Sequence, residues 1–214
     1  MTPRLEELAG KLLLIAAFGY LAVGQMVGVA QRVVQGQWDL GLAASVLSLA
    51  FVLLVVVMTL RRLPSRQNAA GIEPRLMAIL GTFLLLLLVW LPPGRPPAGV
   101  QLASTLLLVV GTAASIWCLH HLGRSFAILA AARELVTGGP YGIVRHPLYL
   151  AEAVSTIGII VLHWSWPAVV VGTAQLAVQL RRMHHEERVL RAAFPEYGDY
   201  ARRVPMLLPG AARG

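Results

Sequence analysis

The sequence predicts an all-α fold, a polytopic membrane helical bundle of five or six transmembrane helices. Two observations come from composition, since hydrophobic residues make up 57% of the 214 residues and charged residues only 13%. Soluble domains carry roughly 25% charged residues, so a water-soluble domain of this size lacks the charges to cover its surface. The third observation is a series of long uncharged runs, which membrane-spanning helices require. Disorder is excluded as well, because a disordered chain is poor in apolar residues.

The uncharged runs define the helices in chain order. The first four approach the ~20 residues that a bilayer core requires, and they are Leu12–Ala30, Leu40–Leu60, the rather short Leu76–Leu91, and Ala98–Leu119. Two shorter stretches, Leu148–Leu162 and Trp164–Leu180, predict a helical hairpin with interfacial Trp residues at its tip. Because each of the two either spans with flanking residues or stops short, the count stays at five or six.

The basic residues predict the orientation of the bundle. With a cytoplasmic N-terminus and six alternating spans, every basic residue falls on the cytoplasmic side except Arg32 and Arg95. This bias predicts cytoplasmic N- and C-termini in the inner (cell) membrane. The net charge of +8 then indicates contact with anionic membrane lipids, and no nucleic acid partner is expected.

Two features of the spans concern packing between helices. Gly24-xxx-Gly28 and Gly111-xxx-Ser115 have the spacing that lets helix backbones approach closely, although ordinary small residues in membrane helices explain both equally well. The outer segment Pro92–Pro97 is short and rich in proline, so we expect a stiff connector without chemistry.

Reactive side chains are concentrated after residue 122, which divides the chain into residues 1–122, with four spans, and residues 123–214. Pro147 suits the first position of the fifth helix, which places His146 at the helix mouth. The free N–H groups there, beside Arg145, favour an anionic ligand group; a snorkelling arginine and a capping histidine are the alternative. Glu152 lies in apolar sequence and therefore needs a partner, either in a water-lined pocket or on a neighbouring helix.

A second polar cluster, Arg181–Glu187, ends the sixth helix. Arg182 and Glu186 are four residues apart and share one helix face, whereas Arg181 is expected to anchor the helix at the membrane edge. The histidines and the single cysteine do not form a metal-ligand set, so no metal is predicted. The amphipathic tail Phe194–Pro209 is expected to lie on the membrane surface, a position compatible with a lid.

Two stretches, LVTGGPYGIVRHPLYLAE and HHEERVLRAAFPEYGDYARRVPMLLPG, carry a family resemblance. Together they resemble the isoprenylcysteine carboxyl methyltransferase family and, more broadly, the membrane methyltransferases that include phospholipid N-methyltransferases. The resemblance covers about residues 123–209, with the two motifs in order around the hairpin. It implies S-adenosylmethionine (SAM) as the methyl donor, a methyltransferase core at residues 123–214, and a cytosol-facing cofactor pocket that is not a Rossmann fold.

The resemblance also implies roles for individual residues. The cofactor-binding residues would be Arg133, Glu134, Leu135, Val136, Tyr141, His146, Pro147, Leu148, Tyr149 and Glu186. Arg182, Glu152 and Arg203 are predicted to bind the acceptor, and Arg182 and Glu187 to act in catalysis. Ala151 departs from the family pattern, where glycine is common, and Glu152 follows it.

Elementary chemistry agrees with several of these roles. His146 suits the SAM carboxylate, Glu186 suits its ammonium or ribose hydroxyls, and tyrosine rings attract a sulfonium cation. A carboxylate acceptor is already ionised and needs a cation, for which Arg182 is the candidate. An amine acceptor would instead need a base, such as Glu187 or His185.

The expected function is therefore methyl transfer from SAM to a lipophilic acceptor drawn from the bilayer. An isoprenylcysteine-like carboxylate is the first candidate for that acceptor. The alternatives are a phospholipid or another small hydrophobic amine or thiol as acceptor, and a non-catalytic lipid-binding protein of the same fold. A transporter is disfavoured, because the sequence lacks broken helices in matching halves and a charged path through the midplane. The sequence leaves the oligomeric state open.

Overall fold

The computed structural model describes residues 3–91 and 94–208, with side chains from residue 8 onward. Pro92 and Pro93 of the outer connector and Pro209 of the tail lie outside the described residues. Seven helices are present there: α1 (Pro3–Val34), α2 (Leu40–Arg61), α3 (Ile72–Phe83), α4 (Ala98–Leu122), α5 (Pro147–His163), α6 (Trp166–Ala193) and α7 (Tyr197–Arg203). Short 3-10 segments cover Leu84–Trp90, Gly123–Ser125 and Gly139–Gly142. Two-residue strands, β1 (Gln67–Asn68) and β2 (Ala131–Ala132), pair antiparallel.

The all-α membrane bundle is confirmed. Four helical segments are long and apolar enough to cross a membrane: Leu8–Val34, Leu40–Arg61, Ile72–Trp90 and Ala98–Ser125. A shorter apolar helix, α5, follows them. These lengths and compositions identify an integral membrane protein.

The hairpin between α5 and α6 differs slightly from its predicted boundaries. Trp164 takes a left-handed backbone with φ of 46° and ends α5, so α6 begins at Trp166 and not at Trp164. Ser165 caps α6, because its hydroxyl oxygen accepts from the backbone N–H of Ala168 at 3.4 Å. The apolar first half of α6 runs without a break into its charged second half, which starts at Arg181.

Close packing occurs at only one of the two predicted small-residue pairs. A Cβ atom added at Gly111 on α4 would lie 2.6 Å from the backbone nitrogen of Ser155 on α5, so the two helices are in near-backbone contact. At Gly24 and Gly28 the structure agrees with the alternative of ordinary small residues, since a Cβ at either position meets nothing within 4 Å. That face of α1 has no described neighbour because α1 packs mainly on α2.

The connections between helices gather at two ends of the bundle. The α2–α3 and α4–α5 connections meet at one end, where Leu63 N–H donates to Arg124 O at 3.0 Å and β1 pairs with β2. The C-terminal tail joins that end, because the backbone N–H of Arg145 donates to Pro205 O at 2.9 Å. Gly94 packs against His163 at the opposite end. The basic α2–α3 loop and the basic C-terminal segment therefore share one end, as the charge distribution predicted.

Candidate active site

A cavity of about 370 Å³ opens among the helices near the shared end. Its wall includes residues from both sides of residue 122. Nine of the ten predicted cofactor residues line it: Arg133, Glu134, Leu135, Val136, Tyr141, His146, Leu148, Tyr149 and Glu186. Glu152 and Arg182 line the same space, whereas Pro147, Glu187 and Arg203 do not. Apolar side chains of α1 and α2, including Phe18, Phe51 and Val55, line its other part.

The Gly138-Gly139-Pro140 turn brings Tyr141 into the cavity wall. Gly139 has φ of +58°, and a Cβ there would lie 2.3 Å from Cδ2 of His121, so glycine permits both the turn and its contact with α4. The Tyr141 hydroxyl is buried and has no hydrogen-bond partner among the described residues. Burial raises the pKa of this phenol, which therefore stays neutral and able to donate. A buried unpaired donor is costly, so a polar ligand atom would relieve it.

His146 stands immediately before α5 and lies between two acids. Pro147 is buried at the first helical position, where its missing N–H costs nothing, and it supports the chain from behind the wall. The ring Nε2 of His146 is 3.0 Å from Glu187 Oε1, and Nδ1 is 4.0 Å from Glu186 Oε2. The imidazole is thus held in place by carboxylates, which orient it at the mouth of the cavity.

Glu187 is the centre of a buried polar cluster behind the cavity wall. Its Oε1 accepts from Arg145 Nε at 2.9 Å and from the Tyr197 hydroxyl at 2.7 Å, besides contacting His146. Burial by itself would raise the pKa of Glu187, but the hydrogen bonds from His146 and Tyr197 and the nearby Arg145 charge lower it to about 2. Because Glu187 does not line the cavity and its Oε1 is engaged by Arg145, His146 and Tyr197, the geometry gives no support to the catalytic role predicted for it. Adjacent residues on a helix point in different directions, so Glu186 faces the cavity and Glu187 faces the cluster behind its wall.

Glu186, Tyr149 and Arg182 form the polar wall of the cavity. The Tyr149 hydroxyl donates to Glu186 Oε1. The guanidinium carbon of Arg182 lies 5.4 Å from the centroid of the Tyr149 ring, within the range of a cation–π contact. Both predicted roles, cofactor binding for Glu186 and acceptor binding for Arg182, therefore fall on side chains that border one space.

Gln179 was not among the residues predicted from the sequence, although it connects Glu152 and Arg182, two of the predicted acceptor-binding residues. Its Nε2 donates to Glu152 Oε2 at 2.6 Å, and its Oε1 accepts from Arg182 Nη1 at 2.9 Å. The second amino group of Arg182 donates to Ile128 O at 2.9 Å. The spacing of polar residues could have identified Gln179. Residues at three- and four-residue intervals share one face of a helix, and this face of α6 carries Gln175, Gln179, Arg182 and Glu186.

Three other residues singled out in the sequence lie outside the cavity lining. His185, one of the two candidate bases, is buried against α3, with its Nε2 3.4 Å from Glu73 Oε1, and it does not line the cavity. Arg181 pairs with the same glutamate at the helix edge. Arg203 is exposed on α7, outside the cavity lining, so its predicted contact with the acceptor has no support in the geometry.

The C-terminal tail packs over the cavity. Tyr197 and Tyr200 contribute to the lining, and the Tyr200 hydroxyl donates to Tyr141 O at 2.6 Å. Arg145 Nη1 donates to Ala201 O at 2.7 Å and to Val204 O at 2.9 Å, which ties the tail to the loop before α5. These contacts put the tail in the position of a cover for the cavity.

Residues 100–197 match the model of a family described as phospholipid methyltransferase. This segment contains most of the polar residues of the cavity. The matched segment is 98 of the 214 residues, a little under half of the chain. The family is one of membrane methyltransferases, which confirms the resemblance predicted from the two motifs.

Curated relatives show similarity over parts of their length. A cobalt-zinc-cadmium resistance protein, CzcN, of Cupriavidus metallidurans is 35% identical over 119 residues, which cover 50% of each chain. A nickel-cobalt-cadmium resistance protein, NccN, of Alcaligenes xylosoxydans xylosoxydans is 35% identical over 115 residues, covering 50% of this chain and 51% of the relative. Methanethiol S-methyltransferase 2 of Bradyrhizobium diazoefficiens is 43% identical over 75 residues, covering 32% of this chain and 26% of the relative. The chain thus spans about half the length of the first two relatives.

Proposed function

We propose that the protein is an integral-membrane methyltransferase that transfers a methyl group from SAM to a small lipophilic acceptor. The observation that carries the proposal is the single cavity lined by His146, Glu186, Glu152 and Arg182 and bounded by apolar side chains of α1 and α2. One part of this cavity has the polar groups that a charged nucleotide-like donor needs. The other part suits an apolar molecule that arrives from the bilayer.

The chemistry of the wall fits SAM. Glu186 offers a carboxylate to the ammonium or to ribose hydroxyls, and the buried Tyr141 hydroxyl offers a donor that lacks a partner among the described residues. The Tyr149 ring can face a cation, as it already faces Arg182. When bound, SAM would supply a methyl carbon whose bond to the sulfonium sulfur breaks with its electron pair going to that sulfur. The chain's part is to position donor and acceptor in line and to exclude water.

A thiol is the acceptor that we favour. Glu152 places a carboxylate in the cavity, which suits a protic acceptor that must lose its proton. The similarity to a methanethiol S-methyltransferase over 75 residues supports the same class. The match to the family model supports methyl transfer in general and does not select among acceptors.

The isoprenylcysteine-like carboxylate is the second candidate. Arg182 favours it, because a buried guanidinium in the cavity wall could hold an ionised acceptor. Two of its donor groups are already engaged by Gln179 and Ile128, which weakens this candidate. No contact among the described residues favours a phospholipid amine in particular as the acceptor.

We further propose that the end carrying the α2–α3 loop and the tail faces the cytoplasm in the inner membrane, with SAM entering beneath the tail. The concentration of arginines at that end supports this orientation. The test is to introduce single cysteines at Gln67 and at Trp166 and to treat intact cells with a charged thiol reagent that cannot cross the membrane. Protection of position 67 and labelling of position 166 are expected.

SAM-dependent thermal stabilisation in detergent tests the donor site. A ligand at 100 times its dissociation constant adds about 2.7 kcal/mol to the free energy of unfolding. We expect the shift in the wild-type protein and in Glu196→Gln, whose carboxylate is exposed and lies outside the cavity lining. We expect its loss in Glu186→Gln. A shift of equal size in Glu186→Gln would contradict the assigned donor site.

Transfer of a labelled methyl group to a panel of acceptors tests the reaction. The panel contains an alkanethiol, farnesyl-cysteine and phosphatidylethanolamine, each presented in the same detergent. We expect label in the alkanethiol. Label in a base-labile ester of farnesyl-cysteine would favour the second candidate, and no label in any acceptor would contradict the proposed activity.

A further inference from the structure

A hydrogen-bonded row joins Glu152 on α5 to Arg182 on α6 through Gln179. Arginine side chains only donate hydrogen bonds, so the Gln179 atom that meets Arg182 must be its amide oxygen. The Gln179 amide nitrogen then faces Glu152 and donates to Oε2 at 2.6 Å. The row therefore fixes the direction of every bond in it and keeps Oε2 an acceptor. The other oxygen, Oε1, is available to a ligand proton.

The charges along the row favour a neutral protic ligand. Glu152 interacts electrostatically with one guanidinium, Arg182, and with one further carboxylate, Glu186, while Glu134, Arg133 and Arg145 also line the cavity. Beside Glu152 and Glu186, an ionised carboxylate acceptor would add a third negative charge around Arg182, and charge in a poorly hydrated space is expensive unless it is compensated. A neutral ligand that gives a proton to Glu152 would instead move one negative charge from the wall to its own reacting atom, without adding a charge to the cavity.

Gly81 of α3 shows that the row has no freedom to move toward α3. A Cβ at Gly81 would lie 2.6 Å from Cδ of Arg182 and 3.0 Å from Oε1 of Gln179. The next residue of the same α6 face, Gln175, donates to Gly81 O at 2.7 Å. The backbone of α3 thus supports the row from behind and holds the Gln179 amide against Glu152.

We propose that Glu152 is the catalytic proton acceptor for a thiol in this cavity and that Gln179 is the positioning residue that orients its carboxylate; the inference rests on the proposed methyltransferase function. The S–H bond of the thiol breaks and its proton bonds to a Glu152 oxygen. The sulfur electron pair that remains forms the new bond to the methyl carbon. The proton leaves Glu152 for water after the thioether departs, so the wall returns to its starting charge.

A chromogenic arenethiol tests the proton transfer without turnover. The thiolate of such a compound absorbs at longer wavelength than the thiol, and the measurement is made below the thiol's solution pKa. A non-transferring SAM analogue, in which a protonated amine replaces the sulfonium, occupies the donor site. We expect thiolate absorbance on binding to the wild-type protein and to Glu196→Gln, and at least a tenfold smaller signal in Glu152→Gln.

Turnover of two thiols separates a base from a structural residue. General-base catalysis contributes about 10²–10⁴-fold, so Glu152→Gln should lower kcat for an alkanethiol by that factor. An acidic arenethiol is already ionised in solution and needs no base, so its kcat should fall less than tenfold. Gln179→Leu should show the same selectivity with a smaller loss, because the carboxylate stays but is no longer oriented. Glu152→Asp, which keeps a carboxylate, should recover part of the alkanethiol activity.

The outcomes distinguish this inference from the function on which it rests. The role of Glu152 would be overturned by equal losses for both thiols or by unchanged thiolate absorbance in Glu152→Gln. If SAM still stabilises the protein in that case, the proposed function stands. Methylation of farnesyl-cysteine alone, undiminished in Glu152→Gln, would also overturn it. A wild-type protein that is not stabilised by SAM would overturn both.

Discussion

The helices α1 and α2 differ from α4, α5 and α6 in what holds them together. Only 11% of an apolar 18-residue stretch of either α1 or α2 is buried inside the protein, against 28% of such a stretch of α4. A Cβ at Gly24 of α1 meets open space, whereas one at Gly111 of α4 meets the backbone of α5. The first pair therefore offers an apolar surface to lipid, and the later helices are fixed by near-backbone packing and buried polar contacts. The polar residues of the cavity lie where the structure is most constrained.

The largest expected effect comes from breaking the cluster around Glu187. Glu187→Ala leaves Arg145 buried without its carboxylate, and removal of one member of a buried ion pair typically costs about 3–5 kcal/mol. We expect a loss of this size in the free energy of unfolding, with release of the tail that Arg145 ties down. Thermal unfolding in detergent, together with limited proteolysis of the C-terminal tail, measures both.

The N-terminal counterpart is the pair between Arg32 and Asp39, separated by 3.8 Å and largely exposed. Asp39→Asn removes this charge but keeps an N-cap for α2, and exposed pairs contribute about 0–1 kcal/mol. We expect little change in stability or in SAM binding. Similar losses from Glu187→Ala and Asp39→Asn would contradict the contrast between the two regions.

Acid should act on the same cluster. The folded-state pKa of Glu187 is about 2, below its ordinary 4.5, so its contribution to stability is complete above pH 4.5 and is lost as the pH falls from 4.5 through 2. Glu187 lies beyond the apolar part of α6, where water can supply the proton. Glu187→Gln lacks this titration, so its unfolding temperature should fall less between pH 5 and pH 3 than that of the wild type. Parallel curves for the two proteins would show that other groups dominate acid unfolding.

The sequence predicted the bundle well because apolar length and charge asymmetry are properties of single segments. The resemblance of the two motifs to a known family also implied that His146, Glu186 and Arg182 belong to one site, and Glu152 was predicted to bind the acceptor there. Gln179 was missed, because a neutral amide in a membrane helix has meaning only when its partners are known. Glu187 was predicted to act in catalysis as a base that an amine acceptor would need, and only packing decides which of the two adjacent acids, Glu186 and Glu187, borders the cavity.

The same limit explains the two small-residue pairs. Gly24–Gly28 and Gly111–Ser115 have one spacing, yet a partner helix approaches closely only at Gly111. The spacing of small residues shows only that another helix can approach closely. The arrangement of the helices decides whether a neighbouring helix is present at that position. A paired substitution therefore separates spacing from contact.

Gly111→Ala should destabilise the protein, since the added Cβ would lie 2.6 Å from Ser155 N and 2.9 Å from Ala151 O. Those atoms are backbone, so α4 and α5 must move apart, and overpacking of this kind costs about 1–3 kcal/mol. Gly24→Ala makes no contact and replaces a flexible residue in a helix, so we expect no loss and a gain of at most about 1 kcal/mol. Thermal unfolding of the two variants in one detergent measures the difference.

The pair of variants also tests whether the cavity depends on the packing of α4 against α5. Thr112 and Ser115, next to Gly111 on α4, line the cavity together with Ser155 on α5, so separation of the helices widens it at this point. Gly111→Ala should therefore weaken SAM stabilisation or acceptor turnover in addition to lowering the unfolding temperature, and Gly24→Ala should leave both unchanged. Equal behaviour of the two variants would mean that lipid contact on α1 constrains the fold as strongly as the α4–α5 contact does, and the distinction between the two regions would fail.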